Sequence, residues 1–188
     1  MNILFSERML WMGLGIYWLL AAFFVKKSVK IQSGKQRFLY MLFWIVAFVL
    51  LFTDDFSFGF LYEPVFAQHA VYKYSGLIMC IGGLLFSVQA RIFLGKNWSG
   101  RITIKEDHEL IQSGPYAITR NPIYSGFLLA FAGCALSENL IKGYLGILFL
   151  FFGLLMKIYN EEKFMKEVFH EKYLSYKQRV KALIPFVY

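Results

Sequence analysis

Two short clusters in the second half of the chain hold the residue types from which a ligand site is built. Arg120-Asn121-Pro122-Ile123-Tyr124 sets a guanidinium, an N-cap residue and a first-turn proline in succession, the pattern of a helix start. A helix N-terminus turns free N–H groups toward a carboxylate or phosphate, and an arginine beside it adds bidentate positive charge. Glu161 and Glu162 are adjacent carboxylates, unfavourable beside an anionic surface unless a cation pairs with them. Lys157, Lys163, Lys166, Arg120 or a cationic ligand would serve. Both clusters also have plainer readings: Arg120 as one more basic residue flanking an apolar segment, and the glutamates as an ion-paired helix surface. His108, within Asp107-His108-Glu109, has the chemistry for proton work, but a hydrogen-bonded loop histidine accounts for it too. The sequence has no His/Cys cluster at metal spacing, no nucleophile elbow, no phosphate loop and no dinucleotide-type glycine motif.

The elements that must position these residues follow from composition. Of 188 residues, 58% are hydrophobic, 20% aromatic and only 17% charged. A soluble domain of this size cannot hide so much apolar surface, and the Phe, Leu and Ile content excludes disorder. Two cysteines exclude a disulfide scaffold. An all-α, polytopic membrane protein remains, a single domain over 1–188. A bilayer core about 30 Å thick needs roughly 17–25 apolar helical residues. Five stretches qualify: Met9–Val25, Phe38–Phe52, Val71–Leu94, Ile123–Leu136 and Ile141–Tyr159. Only Ser137, Glu138 and Asn139 mark the break between the last two, which predicts a tight helical hairpin.

Charge fixes the expected orientation. The net charge of +8 lies mostly in alternate loops: Lys26, Lys27, Lys30, Lys35 and Arg37 after the first span, then Arg91, Lys96, Arg101, Lys105 and Arg120 after the third, then the tail. The intervening loop carries Asp54, Asp55 and Glu63. By the positive-inside rule the N-terminus is outside and the C-terminus cytoplasmic, and the basic residues report orientation, with no nucleic-acid partner implied. The first span lacks a small-residue cleavage site and reads as a retained anchor. Cys80 and Cys134 read as buried thiols that pack as small hydrophobes. Glycines 82, 83, 126, 133, 143, 146 and 153 read as sites of close helix approach, Gly13 and Gly15 as packing positions, and His69 and His170 as incidental.

Polar, non-repetitive sequence concentrates on the cytoplasmic side, in the loop from Gly95 to Pro122 and the tail from Lys157. Trp98, Ile102, Ile104, Leu110, Ile111, Tyr116 and Ile118 give the loop enough apolar mass to pack. In the tail, Met165, Phe169, Lys172, Tyr173, Tyr176 and Val180 recur at three to four residues, which predicts that the last span continues as an amphipathic helix.

In order along the chain, His108, Leu110, Ile111, Gly114 and Tyr116 are followed by Arg120-Asn121-Pro122 and Tyr124, by Glu161-Glu162, by Phe169, Tyr173 and Tyr176, and by Pro185. That series, with Gly95-Lys96-Asn97-Trp98-Ser99 as lead-in, resembles the isoprenylcysteine carboxyl methyltransferase family, and more broadly the integral-membrane methyltransferases that include phospholipid N-methyltransferases. The resemblance covers about residues 90–185. It implies an S-adenosylmethionine-dependent methyltransferase, with S-adenosylhomocysteine as product and a lipophilic or lipidated acceptor reached from the bilayer. An isoprenylcysteine-like carboxylate is one such acceptor. Residues 1–94 would supply three spans and 95–188 the cofactor-binding half. His108, Leu110, Gly114, Tyr116, Arg120, Asn121, Pro122, Tyr124, Glu161 and Glu162 would line the cofactor pocket, with Arg120, Asn121 and Glu162 in catalytic roles. The short chain suggests a bacterial or archaeal plasma membrane, or the endoplasmic reticulum in a eukaryote. Two positions depart from the family pattern: Asn121 stands in place of a histidine and cannot titrate near neutral pH, and Lys157 stands where relatives commonly have arginine. An NADPH-dependent membrane reductase of the steroid reductase-like group shares an N-P-x-Y region, but Tyr124-Ser125-Gly126-Phe127 lacks that group's acid. A non-enzymatic protein on the same scaffold is the third reading.

Overall fold

The computed structural model describes residues 3–24, 28–31, 34–54, 58–98, 103–105 and 109–188. Its main helices are α1 (Ile3–Ala21), α2 (Gly34–Phe52), α3 (Ala70–Leu94), the short α4 (Pro115–Ile118), α5 (Pro122–Glu138) and α6 (Ile141–Arg179). The Ala70–Asn97 and Ile141–Arg179 segments are long and apolar enough to cross a membrane, and Arg37–Phe52 and Pro122–Glu138 are apolar but shorter. One feature escapes the expectation of helices alone. Strands β1 (Ser28–Ile31) and β2 (Thr103–Lys105) pair antiparallel. Both lie in polar loops, where no period-2 pattern long enough to signal a strand exists.

Helices α3 and α5 pack antiparallel through reciprocal glycines. A Cβ built on Gly76 would lie 2.5 Å from the Gly133 carbonyl oxygen, and one on Gly83 would lie 2.5 Å from that of Gly126. Backbones this close are possible only without side chains, the small-residue logic of membrane helix packing. The free thiols of Cys80 and Cys134 lie within this seam, 3.5 Å apart, and the Trp11 indole N–H donates to the Cys134 sulfur. Gly82, Gly13 and Gly15 correct the reading of glycines as contact points, because a Cβ on any of them would meet nothing within 4 Å. Trp11, Phe48 and Phe131 meet edge to face at 4.8–5.3 Å and fill the middle of the bundle.

At the end of the bundle away from Arg120, Lys142 is fully buried and pairs with Glu138 at 2.6 Å and Asp54 at 3.3 Å, while Arg8 reaches Asp54 at 2.6 Å. These pairs tie α1, α2 and the α5–α6 hairpin together. Asn139 turns the hairpin in the left-handed region (φ 57°), a conformation asparagine tolerates. Its amide closes the turn against both backbone groups of Phe66.

The tail overturns the expectation of one continuous amphipathic helix. His170 has φ 44° and ψ −123°, which breaks α6 into 141–169 and 171–179. Fifteen residues of straight helix span about 22 Å, yet Lys177 pairs with Glu162, so the second piece doubles back on the first. The apolar three-to-four spacing runs on both sides of the break and conceals it. His170 is therefore the hinge of the tail, not an incidental residue.

Candidate active site

The fold-back closes one end of a cavity of about 150 Å³ between the ends of α3, α5 and α6. Leu94, Asn97 and Trp98 form one wall from the end of α3 and the single turn that follows it. Glu109, Leu110 and Ile111 form a second, with Tyr116 from α4. Arg120, Asn121, Ile123 and Tyr124 enter from the start of α5. Glu161, Glu162, Phe164 and Met165 face them from α6, and Tyr173 and Tyr176 from the returning piece close the end.

Seven of the ten residues expected at the cofactor pocket line this cavity: Leu110, Tyr116, Arg120, Asn121, Tyr124, Glu161 and Glu162. His108 lies outside the described residues. Gly114 and Pro122 stand behind the wall and shape its backbone. Gly114 has φ 58° and abuts the Phe93 ring; Pro122 is the buried first residue of α5. In the sequence, Asn97 reads only as part of a lead-in, Trp98 as that and as packing mass of the loop, and Met165 as part of an amphipathic stripe; Phe164 is not singled out. Their cavity-facing role depends on how α3 ends and how the tail folds back.

The start of α5 differs from a helix end open to a ligand. The Arg120 N–H donates to the Lys181 carbonyl at 2.8 Å, and the Asn121 N–H to that of Ala182 at 3.1 Å. Asn121 sits at the N-cap position without a side-chain capping bond; its amide instead donates to the same Ala182 carbonyl at 2.8 Å. Thr119 and Ser125 hydroxyls donate to the carbonyls of Ala182 and Leu183. The C-terminal segment thus takes up groups that the sequence alone left free.

Arg120 is the knot of the site. Its guanidinium pairs with Glu162 and donates to the carbonyls of Lys177 and Val180, and Lys177 pairs with Glu162 in turn. Burial alone would raise the Glu162 carboxyl; the hydrogen bonds and charges of Lys177 and Arg120 outweigh it and hold it below the usual range. Glu161 is different. Burial raises its carboxyl above the ordinary value, against the opposing pull of Lys157, 3.9 Å away, and of the Tyr124 hydroxyl, which donates to it at 2.7 Å. Lys157 is buried and lies 5.0–5.7 Å from the ring centroids of Tyr40, Trp44 and Tyr124, an aromatic enclosure for its ammonium. Burial likewise raises the phenols of Tyr116, Tyr173 and Tyr176, keeping them protonated as polar, uncharged wall.

Fold and site together define a helical protein in which two of the described helices are long and apolar enough to cross a membrane, with a cavity at one end of its bundle, closed by its own tail. The phospholipid methyltransferase family matches residues 71–172. A curated rice protein, a probable protein-S-isoprenylcysteine O-methyltransferase of Oryza sativa, is 30% identical over 179 residues, covering 91% of this chain and 88% of its own length. Protein-S-isoprenylcysteine O-methyltransferase B of Arabidopsis thaliana is 34% identical over 129 residues, which cover 66% of this chain and 64% of that protein. The fold is also that of the eukaryotic intramembrane Ras methyltransferase, an isoprenylcysteine carboxyl methyltransferase, with TM-score 0.59 and 23% identity over 84% of this chain and 55% of that one. The chain belongs to the isoprenylcysteine carboxyl methyltransferase family of integral-membrane methyltransferases.

Proposed function

We propose that the chain transfers the methyl group of S-adenosylmethionine to a lipophilic acceptor, with an isoprenylcysteine-like carboxylate as the favoured nucleophile. The observation that carries this reading is the cavity, in which a paired arginine, two glutamates in unlike settings and four tyrosines meet apolar walls at the mouth of a membrane bundle. The residues fit the cofactor chemically. Asn97 Oδ1 is a buried wall atom without a hydrogen-bond partner among the described residues, an acceptor the fold leaves to a ligand. Glu161 suits an amine or ribose hydroxyls, Arg120 and Asn121 a carboxylate, and the faces of Tyr116 and Tyr124 a sulfonium.

When bound, the cofactor supplies a methyl group made electrophilic by its sulfonium. The chain's part is to hold donor and acceptor in line and away from water, which can account for much of the rate. Tyr173, Tyr176, Phe164 and Met165 close the cavity against solvent. A carboxylate acceptor carries no proton to remove, so Asn121, which cannot titrate, is compatible with turnover and acts as a hydrogen-bond donor. Five spans with the N-terminus outside and the C-terminus cytoplasmic would put the cavity at the cytoplasmic interface, where a lipid acceptor enters from the bilayer. Such a chain serves in a prokaryotic plasma membrane or in the endoplasmic reticulum.

Titration of the detergent-purified protein with S-adenosylhomocysteine, with NADPH as comparator, tests the reading. Saturable micromolar binding of the first alone is expected. Binding of NADPH alone would make the protein a reductase, and binding of neither by folded protein would make it non-enzymatic.

A further inference from the structure

Arg91 is 4% exposed near the end of α3, and among the described residues no carboxylate pairs with it. Its two terminal nitrogens bond to backbone and its plane lies over one ring, while Nε has no hydrogen-bond partner among the described residues. One arm donates to the Gly95 carbonyl at 2.8 Å and the other to the Ala21 carbonyl at 2.9 Å. Both oxygens lie at helix C-terminal ends, where a cation is favoured by the helix dipole. The carbon of the guanidinium lies 4.4 Å from the centroid of the Trp98 ring. Trp98 in turn lines the cavity, and Trp18 of α1 meets it nearly perpendicular at 6.3 Å. Asn97, with its unpartnered Oδ1, is the next residue along the same wall.

Burying an arginine is costly, and no carboxylate among the described residues offsets the cost here; its planar fork is matched to two carbonyls and an indole at once. Lysine would reach one of the three. We infer that Trp98 is the stacking platform for the flat base of a nucleoside ligand and that Arg91 is the positioning residue that holds it there. The inference rests on the proposed cofactor and assigns one wall of the cavity to its purine end. Large aromatic area next to an unsatisfied acceptor and apolar Leu94 and Ile111 is what an aminated heteroaromatic ring requires.

The test is a double-mutant cycle read by calorimetric titration with S-adenosylhomocysteine. Trp98→Leu is expected to raise the dissociation constant about tenfold and Trp98→Phe about threefold or less, in keeping with the cost of losing one base–aromatic stack. Arg91→Lys is expected to cost about tenfold in the wild-type background and less than twofold in Trp98→Leu, because it acts through the indole. In turnover the donor KM of Arg91→Lys should rise by the same factor while kcat and the acceptor KM stay within twofold, which a general loss of structure would not produce. Additive losses in the cycle, or an unchanged affinity in Trp98→Leu, overturn the inference and leave the cofactor reading intact. Failure of the wild type to bind S-adenosylhomocysteine overturns both.

Discussion

Glu161 and Glu162 are consecutive in α6, yet one carboxylate is held by a phenol and a caged lysine and the other by Arg120 and Lys177 across the fold-back. Their contributions to stability run in opposite directions with pH. Glu162 sits below its unfolded value, so its contribution is present above the ordinary glutamate pKa of about 4.3 and is lost as pH falls through the folded value. Glu161 sits above its unfolded value, so its contribution is present below about 4.3 and is lost as pH rises through the folded value. Glu162→Gln is expected to cost about 3 kcal/mol at neutral pH, since it strands a buried guanidinium, and the deficit should shrink below pH ~4. Glu161→Gln removes a strained carboxylate but also leaves buried Lys157 without this partner, so its deficit at pH 7 should be smaller than that of Glu162→Gln and should grow in acid instead of shrinking. Thermal unfolding midpoints of the three proteins between pH 4 and 8 check this, and deficits that change in the same direction with pH for both variants would contradict it.

Arg120→Lys isolates the geometry of the knot from its charge. A lysine can still pair with Glu162 but cannot also reach the carbonyls of Lys177 and Val180. The returning helix should loosen at its end. Affinity for S-adenosylhomocysteine is expected to fall at least about tenfold, the scale of one lost charge-assisted bond, and amide exchange over residues 177–182 should accelerate. Unchanged exchange there would show that Arg120 does not clasp the tail.

Hydropathy and loop charge made the helices and the tight hairpin legible, because apolar runs broken by single polar clusters have few alternative readings. The cavity-lining residues near Arg120 and at Glu161-Glu162 were legible as motifs. Three things were not. Lys177 as partner of Glu162 depends on a backbone reversal at His170, a residue type that gives no turn signal of its own. The capture of the α5 N-terminus by Lys181 and Ala182 depends on the same reversal. The bracing of Trp98 by Arg91 depends on where α1 and α3 end relative to each other, and sequence reads an arginine at a span end as a residue reaching for the interface.

The glycines offer a contrast within one helix pair. A Cβ on Gly126 would lie 2.4 Å from the Gly83 carbonyl oxygen, a backbone atom that cannot swing away, whereas one on Gly82 would meet nothing within 4 Å. Gly126→Ala is therefore expected to cost about 1–3 kcal/mol by forcing α3 and α5 apart. Gly82→Ala should be neutral or stabilising by up to about 1 kcal/mol through helix propensity. Unfolding midpoints in the same detergent decide it, and equal effects would mean that the seam is looser than its backbone distances imply.

Asn121 stands where the resemblance implies a histidine, and its geometry says what the position does. Side-chain amide and backbone N–H converge on one acceptor, the Ala182 carbonyl, at 2.8 and 3.1 Å. The position thus fastens the C-terminal segment over the start of α5 by donation. Asn121→Ala should cost about 1 kcal/mol in stability and weaken S-adenosylhomocysteine binding. Asn121→His keeps a donor and should stay within about threefold of the wild-type dissociation constant, under 1 kcal/mol. Because asparagine does not titrate, the wild-type rate should run flat from pH 6 to 8 with a carboxylate acceptor, with no limb near the ordinary histidine pKa of about 6.5. A limb in the wild-type profile would place a titrating group other than residue 121 in the reaction. A limb that arises only in Asn121→His would show that a proton carrier at this position enters the chemistry once it is restored.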